Sequence, residues 1–562
     1  MISFIRTDFS LCSNFKPEDM NNQCILSDDN LSGAVEYFKA CQKKGFKPII
    51  SYRGDEIYLA RNKKEYTELL DAYSNQRTPN TLTIVGAPFG KLSNIVTESY
   101  FPYVPAQEAW EEAKKYIRGI SGDVVIGITP YSSDYDNGLR ELLRDLAAHL
   151  GLPTCVVDDV HYASNLAVSE GVEYEPHKDH HILVCYKTKK NTDQHEEMSS
   201  EYRRFFHSTS YYPQDWSEMP EYKGTQKIVD ECEDYTILAE PQLPHFENAT
   251  QKLTELARAG WKEKGLSKIK GWEVYRDRIK EEISVIDQSG FSAYFLVLED
   301  VCRWIDSNGW MRGHGRGSAG GCLVSYLIGI TKVDPLKYGL LFERFYSTDR
   351  AEARQLPDID IDVPKFKRKE IFAYLQDKYG HDSVAQMVTF SSLQGRSALT
   401  AALKFNDSIE FSQIKEITEL LPAKDKISDQ MDAVGEESLI RWTLEYLPDR
   451  LSDYARIENG KVVGDFASEF EQAIRLEKIK VDTGKHASAI IVYSGQIKSV
   501  CPMTKDKSSD ELITHFSMSD GEAVGLVKLD LLGLASLDKL MLINELLKEE
   551  NDAKMAKMET NS

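Results

Sequence analysis

Pro357-Asp358-Ile359-Asp360-Ile361-Asp362-Val363-Pro364 is the stretch on which the reading of this chain turns. Taken as a β-strand, its side chains alternate between two faces. Ile359, Ile361 and Val363 then enter a core, and Asp358, Asp360 and Asp362 form a row on the other face. Aspartate is depleted in strands, and same-face neighbours lie only ~7 Å apart. Three ionised carboxylates in a row repel one another. A divalent cation with oxygen ligands offsets that repulsion, and magnesium typically uses one or two carboxylates together with substrate phosphates. The plainer alternative is a solvated strand edge whose charges guard against aggregation. The flanking prolines fit both.

A second stripe lies far along the chain. In Gly525-Leu526-Val527-Lys528-Leu529-Asp530-Leu531, the residues Val527, Leu529 and Leu531 share one face and Lys528 and Asp530 the other. A lone Lys and Asp on an apolar strand are costly unless paired, liganded or exposed. Beside the first strand, Asp530 would join the carboxylate row and Lys528 would face an anionic substrate. Standing alone, the two would be a surface pair.

The third feature is Gly313-His314-Gly315-Arg316-Gly317-Ser318-Ala319-Gly320-Gly321, followed by the apolar run CLVSYLIGI. A glycine-rich turn opening a helix offers backbone N–H groups to a phosphate, Ser318 adds a hydroxyl and Arg316 a charged fork. No Gly-Lys-Ser/Thr follows, so this is not a Walker A loop. Gly315, Gly317 and Gly320 match GxGxxG, with Asp334 downstream, which leaves a dinucleotide-binding oxidoreductase as a weak alternative. That motif needs a buried strand before it, and DSNGWMR stands there instead. A plain glycine-rich hairpin loop also stays open. Basic residues surround the acidic row: Arg344, Arg350 and Arg354 before it, Lys365, Lys367, Arg368 and Lys369 after it, and Arg396 and Lys485-His486 further on. Phosphate transfer needs metals and cations to meet one polyanion, although any one of these residues alone reads as a solvated face.

The rest of the chain bounds these readings. Its 562 residues imply about three or four folded units. With 41% hydrophobic and 28% charged residues, it is neither disordered, collagen-like nor a coiled coil. No run approaches the ~20 apolar residues of a membrane span, and MISFIRTDFSLCSNF lacks the marks of a signal peptide. Nine cysteines without a CxxC pair argue against a disulfide framework or structural zinc, so a reduced, cytoplasmic protein without a membrane partner is expected. The net charge of -21 disfavours a protein coated in nucleic acid. A cleft is local, however, and residues 301–400 carry 14 Lys and Arg against 11 Asp and Glu.

Residues 1–230 alternate short apolar runs with amphipathic helices, an α/β layering around a mostly parallel sheet. In LRELLRDLAAHLG, Leu139, Leu142, Leu143, Leu146 and Leu150 recur at helical spacing and Gly151 supplies the stop. Residues 187–200 and 213–228 read as loops, 247–285 as helices, and 401–478 as helical without strong strand signals. Strands are expected at 487–493 and 523–531, and a helix from Ser536 to about Leu547 ahead of a frayed tail.

Together these features resemble the C-family replicative DNA polymerases, the bacterial DNA polymerase III alpha subunit. The resemblance runs over about 280–540 through GHGRGSAGGCLVSYLIGITKVDPLKYGLLFERFY, LPDIDIDV, YGHDSVAQMVTFSSLQGRSA, TGKHASAIIV and GLVKLDLLGL. The pieces LSDDNLSGAVEYFKACQKKGFKPIIS and GLPTCVVDDVHYAS are similar to the family's polymerase-and-histidinol-phosphatase (PHP) domain. It implies an α/β multidomain protein: a PHP-like (β/α) barrel over 1–230, a helical connection over 231–285, and a nucleotidyltransferase-type palm over 286–400 and 479–540. A helical thumb interrupts the palm at 401–478, and 541–562 is a helix end and tail.

The same resemblance implies catalytic and metal-holding roles for Asp358, Asp360 and Asp530 around two Mg2+ ions, with Asp362 in support. Gly315, Arg316, Gly317, Ser318, Lys528, Lys485 and His486 would bind substrate, the substrates being dNTP and primer-template DNA. Two departures carry consequences. Where metal-binding PHP domains have His-x-His, this chain reads Ile5-Arg6-Thr7-Asp8-Phe9-Ser10, and Asp29 stands where a histidine would be; Asp159 and His161 remain. A PHP remnant without phosphoesterase activity is therefore expected. The chain also stops 32 residues after Asp530, where family members continue into fingers and a clamp-binding region. The expectation is the amino-terminal half of a split polymerase of phage or unusual bacterial origin, or a truncated form. A second polypeptide would supply the fingers and reach a sliding clamp. A catalytically inert DNA-binding scaffold and a PHP-type phosphoesterase are the competing functions.

Overall fold

Buried apolar runs separated by amphipathic helices build a largely parallel sheet in the first part of the chain, as the alternation of 1–230 leads one to expect. The computed structural model describes residues 2–10, 13, 15–87, 90–97, 106–130, 134–162, 167–169, 172–174, 176–188, 209–210, 217–405, 409–509 and 511–559. The loop expected over 187–200 lies almost wholly outside them. The chain forms two units: Met1–Ile237 with Thr389–Gly484, and Leu238–Val388 with Lys485–Ser562.

In the first unit, β1 (Ser3–Ile5), β2 (Cys24–Asp28), β3 (Ile50–Arg53), β4 (Ile57–Ala60), β5 (Leu82–Val85), β6 (Val124–Ile128), β7 (Thr154–Val156) and β8 (Val160–Tyr162) enter one sheet. A small hairpin, β9 (Ala167–Ser169) and β10 (Val172–Tyr174), follows, and β11 (Thr209–Ser210) returns to the sheet. Its nine strands run in the order β11-β8-β1-β2-β3-β4-β5-β6-β7. All its pairs are parallel except β3–β4 and β4–β5, which are antiparallel because only the short turn at 54–56 joins the first two. The helix Asp134–Leu150 lays Leu139, Leu143 and Leu146 into the core with Val85 and Ile126, and Gly151 ends it with φ +65°. The loop expected over 213–228 gives way to a helix, Tyr222–Glu231, because Tyr222, Thr225 and Ile228 form one buried face at helical spacing.

The second unit opens with helices Ala249–Glu263, Trp272–Ser289 and Ser292–Ser307, in line with the helical reading of 247–285. Its sheet starts with β12 (Asp360–Pro364) and β13 (Val384–Ser392). The chain then runs through the helices of 395–476 in the first unit, around a core that includes Leu399, Ile417, Phe470 and Leu476. That stretch also holds an antiparallel hairpin, β14 (Arg456–Glu458) and β15 (Lys461–Val463), turned by Asn459 and Gly460 at positive φ. Each three-residue strand packs one paired side chain, Ile457 or Val462, against that core, too short a stripe to announce a strand, which is why the reading without strands missed it.

Four further strands complete the second sheet: β16 (Lys480–Val492), β17 (Met503–Lys505), β18 (Leu512–Thr514) and β19 (Val527–Leu534). The order is β12-β19-β16-β13-β18-β17. β16 begins seven residues before the apolar run that announced it, since its first half is polar. The residues just ahead of β19 form a helix, Met518–Ala523, which Ser517 caps by accepting the Asp520 N–H. The last helix runs from Ala535 to Glu559, well past Leu547. The polar residues expected to fray carry strong helix formers such as Lys, Glu, Ala and Met. Among the described residues no helix is long and apolar enough to cross a membrane.

Candidate functional site

β12 sits at the sheet edge beside β19, and the two run parallel with Asp360 opposite Asp530. Their apolar alternates enter one core: Ile359, Ile361, Val363, Val527, Leu529 and Leu531 are all buried. The alternate face therefore carries the acids of both strands. Asp358, Asp360 and Asp530 each present a carboxylate oxygen, and these atoms lie within 4.8 Å of one another. Asp358 is exposed, Asp360 half-buried and Asp530 buried. Among the described residues this is the one such group of three ligand-bearing side chains. Burial raises the Asp360 carboxyl above the ordinary aspartate range, and Asp358 and Asp530 push it further, against the pull of Arg316 and Lys528.

The structure brings some sequence-predicted residues to this cluster and engages others elsewhere. Lys528, one position from Leu529 on the acid face of β19, pairs with Asp530 at 2.8 Å, so its charge is spent first on the cluster itself. Asp362 belongs to the same face but faces the glycine loop: its carbonyl accepts the Gly313 N–H at 3.0 Å, and Arg316 lies 3.6 Å from its carboxylate. A side chain at Gly313 would stand 2.6 Å from the Asp362 Cβ, so the loop can reach β12 only with glycine there. Gly317 adopts φ +60°, the left-handed region, and a Cβ there would lie 3.7 Å from Asp360 Oδ2. The loop leads into a 3-10 turn, Ser318–Gly321, and only then into the short helix Leu323–Leu327. No strand precedes it; the helix Ser292–Ser307 does, which removes the strand-turn-helix context of a dinucleotide fingerprint. Asp334 closes its own turn by accepting the N–H groups of Leu336 and Lys337.

Two ion pairs, each with one fully buried partner, hold the loop. Arg312, at its base, forks onto Asp306 and donates to the carbonyls of Ile330 and Gly329. Glu282, fully buried, accepts the N–H groups of Leu323 and Val324 at 3.0 and 2.8 Å and pairs with Arg278 at 2.7 Å. A carboxylate at the start of that helix satisfies N–H groups that otherwise have no partner.

On the other side of β19 lies β16, antiparallel, with Ala489 opposite Asp530. The His486 ring turns back along the strand so that Nδ1 accepts the Ala489 N–H at 2.9 Å and the Ser488 N–H at 3.2 Å. Burial lowers its pKa, with Asp530 pulling the other way and Lys528 and Arg368 adding to the lowering. Lys485 instead meets Asp506 at 3.5 Å and Glu511 at 3.2 Å.

Two neighbours of the cluster and one anchor of the loop escaped the sequence reading. Tyr294 is buried beneath it; burial, then Asp358 and Asp530, drive its phenol well up. It sits in an apolar helix with nothing in the local pattern to single it out. Burial raises the carboxyl of Glu522, just before β19, against the pull of Lys528, and Asp358 and Asp530 add to the rise. Glu282 was legible only as one of many helical glutamates.

In the first unit, Arg6 occupies the place where the sequence lacks histidines. It is fully buried, pairs with Asp29, and lies 2.6 Å from Asp159, which Arg53 approaches at 3.5 Å. Burial pushes Asp159 up, but the two arginines more than offset it and hold the carboxyl well below the usual range. His161 stands 3.5 Å from the same carboxylate, and burial lowers its pKa.

Comparison with known proteins agrees with this geometry. The DNA polymerase III subunit alpha of Aquifex aeolicus is 26% identical over 94% of this chain and 45% of its own length. Those of Treponema pallidum and Streptococcus pyogenes serotype M1 are each 28% identical over 91% of this chain, covering 44% and 45% of their lengths. The chain thus spans about half the length of the curated relatives it matches. The family model described as the bacterial DNA polymerase III alpha NTPase domain matches residues 251–533, half of the chain and the part that holds the whole acid cluster, and the chain belongs to that family.

Proposed function

We propose that this chain carries the nucleotidyl-transfer centre of a DNA polymerase, extending a primer 3′-hydroxyl from dNTP under the direction of a template. The observation that carries the reading is the convergence of Asp360 and Asp530 from two adjacent parallel strands with Asp358, from the segment leading into the first. Three hard carboxylate oxygens within 4.8 Å suit Mg2+ and no soft metal. Two Mg2+ ions held by these residues would supply charge neutralisation at the attacking hydroxyl and at the departing pyrophosphate.

The protein's own groups do the rest by position. Lys528 screens Asp530 so that the cluster persists on a mostly buried strand. The backbone N–H groups around Gly315, Gly317 and Ser318, with the Arg316 guanidinium, form an anion-holding edge beside Asp360 and Asp362. Asp362, tied to Gly313 and facing Arg316, supports that edge and is not a ligand in this reading. Lys485, held by Asp506 and Glu511, reaches DNA only by exchanging those partners.

Around this centre we read 286–400 and 479–540 as palm, 401–478 as thumb and 231–285 as a helical connection. Residues 1–230 are read as a PHP-like barrel, with 541–562 closing the chain. The Arg6 ion pairs with Asp29 and Asp159 support a PHP domain that is structural and not hydrolytic. Primer extension by the full chain tests the reading. Asp360→Asn and Asp530→Asn should abolish incorporation without unfolding the protein. Wild-type turnover in Asp360→Asn would overturn it.

A further inference from the structure

Lys528 has a second partner besides Asp530. Its Nζ donates to Asp530 Oδ2 at 2.8 Å and to Met518 Sδ at 3.3 Å. The local path of the chain brings the two residues together. Met518 opens the helix Met518–Ala523, the Leu526 N–H returns to the Gly521 carbonyl at 3.0 Å, and Gly525 turns the chain at φ +91°. The start of β19 therefore lies back along the start of the helix. Met518 is 45% exposed, so the core does not hold it there.

An ammonium carries three donors. Two are spent here, and among the described residues the third has no partner. The two acceptors differ in kind. The Asp530 carboxylate is charged, and in the polymerase reading it turns to Mg2+. The Met518 thioether is uncharged, polarisable and a weak acceptor. It can keep the ammonium in place without neutralising it, which a carboxylate cannot do.

We infer that Met518 is the positioning residue of Lys528: its sulfur keeps the ammonium beside the acid cluster once Asp530 binds metal, and leaves the full charge for the phosphates of the incoming nucleotide. This rests on the polymerase reading above and adds to it what holds the lysine. The role belongs to an uncharged acceptor of this reach. An apolar side chain at 518 would let the ammonium swing away, and an acidic one would consume the charge that the triphosphate needs.

The test varies the acceptor at one position. Met518→Leu removes it, Met518→Gln restores an uncharged oxygen, and Met518→Glu supplies a charged one. Binding of a fluorescent dNTP to the full chain is followed by anisotropy, with calcium in place of magnesium so that no turnover occurs. Met518→Leu should weaken dNTP binding about fivefold, as for one hydrogen bond from a charged donor to a weak acceptor. Met518→Gln should stay within about twofold of wild type, and Met518→Glu should bind at least as weakly as Met518→Leu. In a Lys528→Met background, Met518→Leu should have no further effect. The Tm in EDTA should not move in Met518→Leu, whereas loss of a merely structural contact would lower it. Wild-type dNTP affinity in Met518→Leu, tighter binding in Met518→Glu than in Met518→Gln, or additive losses with Lys528→Met would overturn the assignment and leave the polymerase reading standing. A wild-type chain that binds no dNTP would overturn both.

Discussion

Asp360→Asn should make the metal-free protein more stable while removing its response to magnesium. The three carboxylate oxygens lie within 4.8 Å; at that separation each pair of charges repels by about 3.5 kcal/mol at an effective dielectric of 20 and about 1 kcal/mol in water. Asp530 is buried, so its repulsion of Asp360 lies nearer the upper figure; Asp358 is exposed, so its share lies nearer the lower. Lys528 and Arg316 return part of both. A net gain of about 2 kcal/mol for the Asn side chain in EDTA follows, or a rise in Tm of roughly 4–8 °C for a unit of this size. Magnesium in excess should then raise the wild-type Tm by mass action and leave the variant unmoved.

The pH dependence has a definite sign. Asp360 is raised in the folded state, so the stability it contributes is greatest below the unfolded value and is lost as pH rises through the folded one. The advantage of the Asn variant is therefore full at neutral pH and fades as pH falls through the raised folded value to the ordinary aspartate range. Differential scanning fluorimetry in EDTA and in magnesium, repeated across that window, measures every term. A variant less stable than wild type in EDTA, or one that keeps the magnesium shift, would refute the argument that these charges oppose one another around a cation site.

Three further outcomes are expected. Arg6→Ala removes the closer of the two guanidinium groups beside the buried Asp159, and should cost about 3–5 kcal/mol in urea titrations, as for a broken buried ion pair. Replacing Arg6, Asp29 and Asp159 together with Met, Asn and Asn should cost much less. Glu282→Ala removes the acceptor of the Leu323 and Val324 N–H groups and the partner of Arg278; it should cost a similar ~3–5 kcal/mol and raise KM for dNTP, because the glycine loop loses its anchor. His515 is buried and its pKa is pushed down to about 4, so stability is complete above its ordinary 6.5 and is lost as pH falls toward 4. The loss amounts to about 3 kcal/mol, and His515→Leu should flatten that acid limb in chemical denaturation.

Much of this site was legible because it is local. The Ile-Asp alternation of 357–364 and the Leu-Lys-Leu-Asp run of β19 have the period of a strand, and the burial of Ile361, Val363, Leu529 and Leu531 follows it residue by residue. The loop glycines were legible as a turn. Their purpose was not: Gly313 is required by the Cβ of Asp362, which lies 49 residues on in sequence. The length of the last helix was misjudged because a polar composition was taken for fraying, although its residues favour helix. The hairpin Arg456–Val463 stayed hidden because its strands are too short for a stripe, with only the pair Ile457 and Val462 turned to the core. The absence of histidines near residue 6 was plain in the sequence, whereas the use of Arg6 as the cation between Asp29 and Asp159 was not.

The sequence by itself determined which residues turn inward and which carry charge outward on each strand, since side-chain alternation is a property of the extended backbone and needs no partner. Only the tertiary structure decided that β12 and β19 lie side by side with Asp360 opposite Asp530, and that Lys528 is drawn onto Asp530. Those acids are 170 residues apart in the chain, and pairing at that distance is selected by the shared core beneath the strands, not by any pattern within either one.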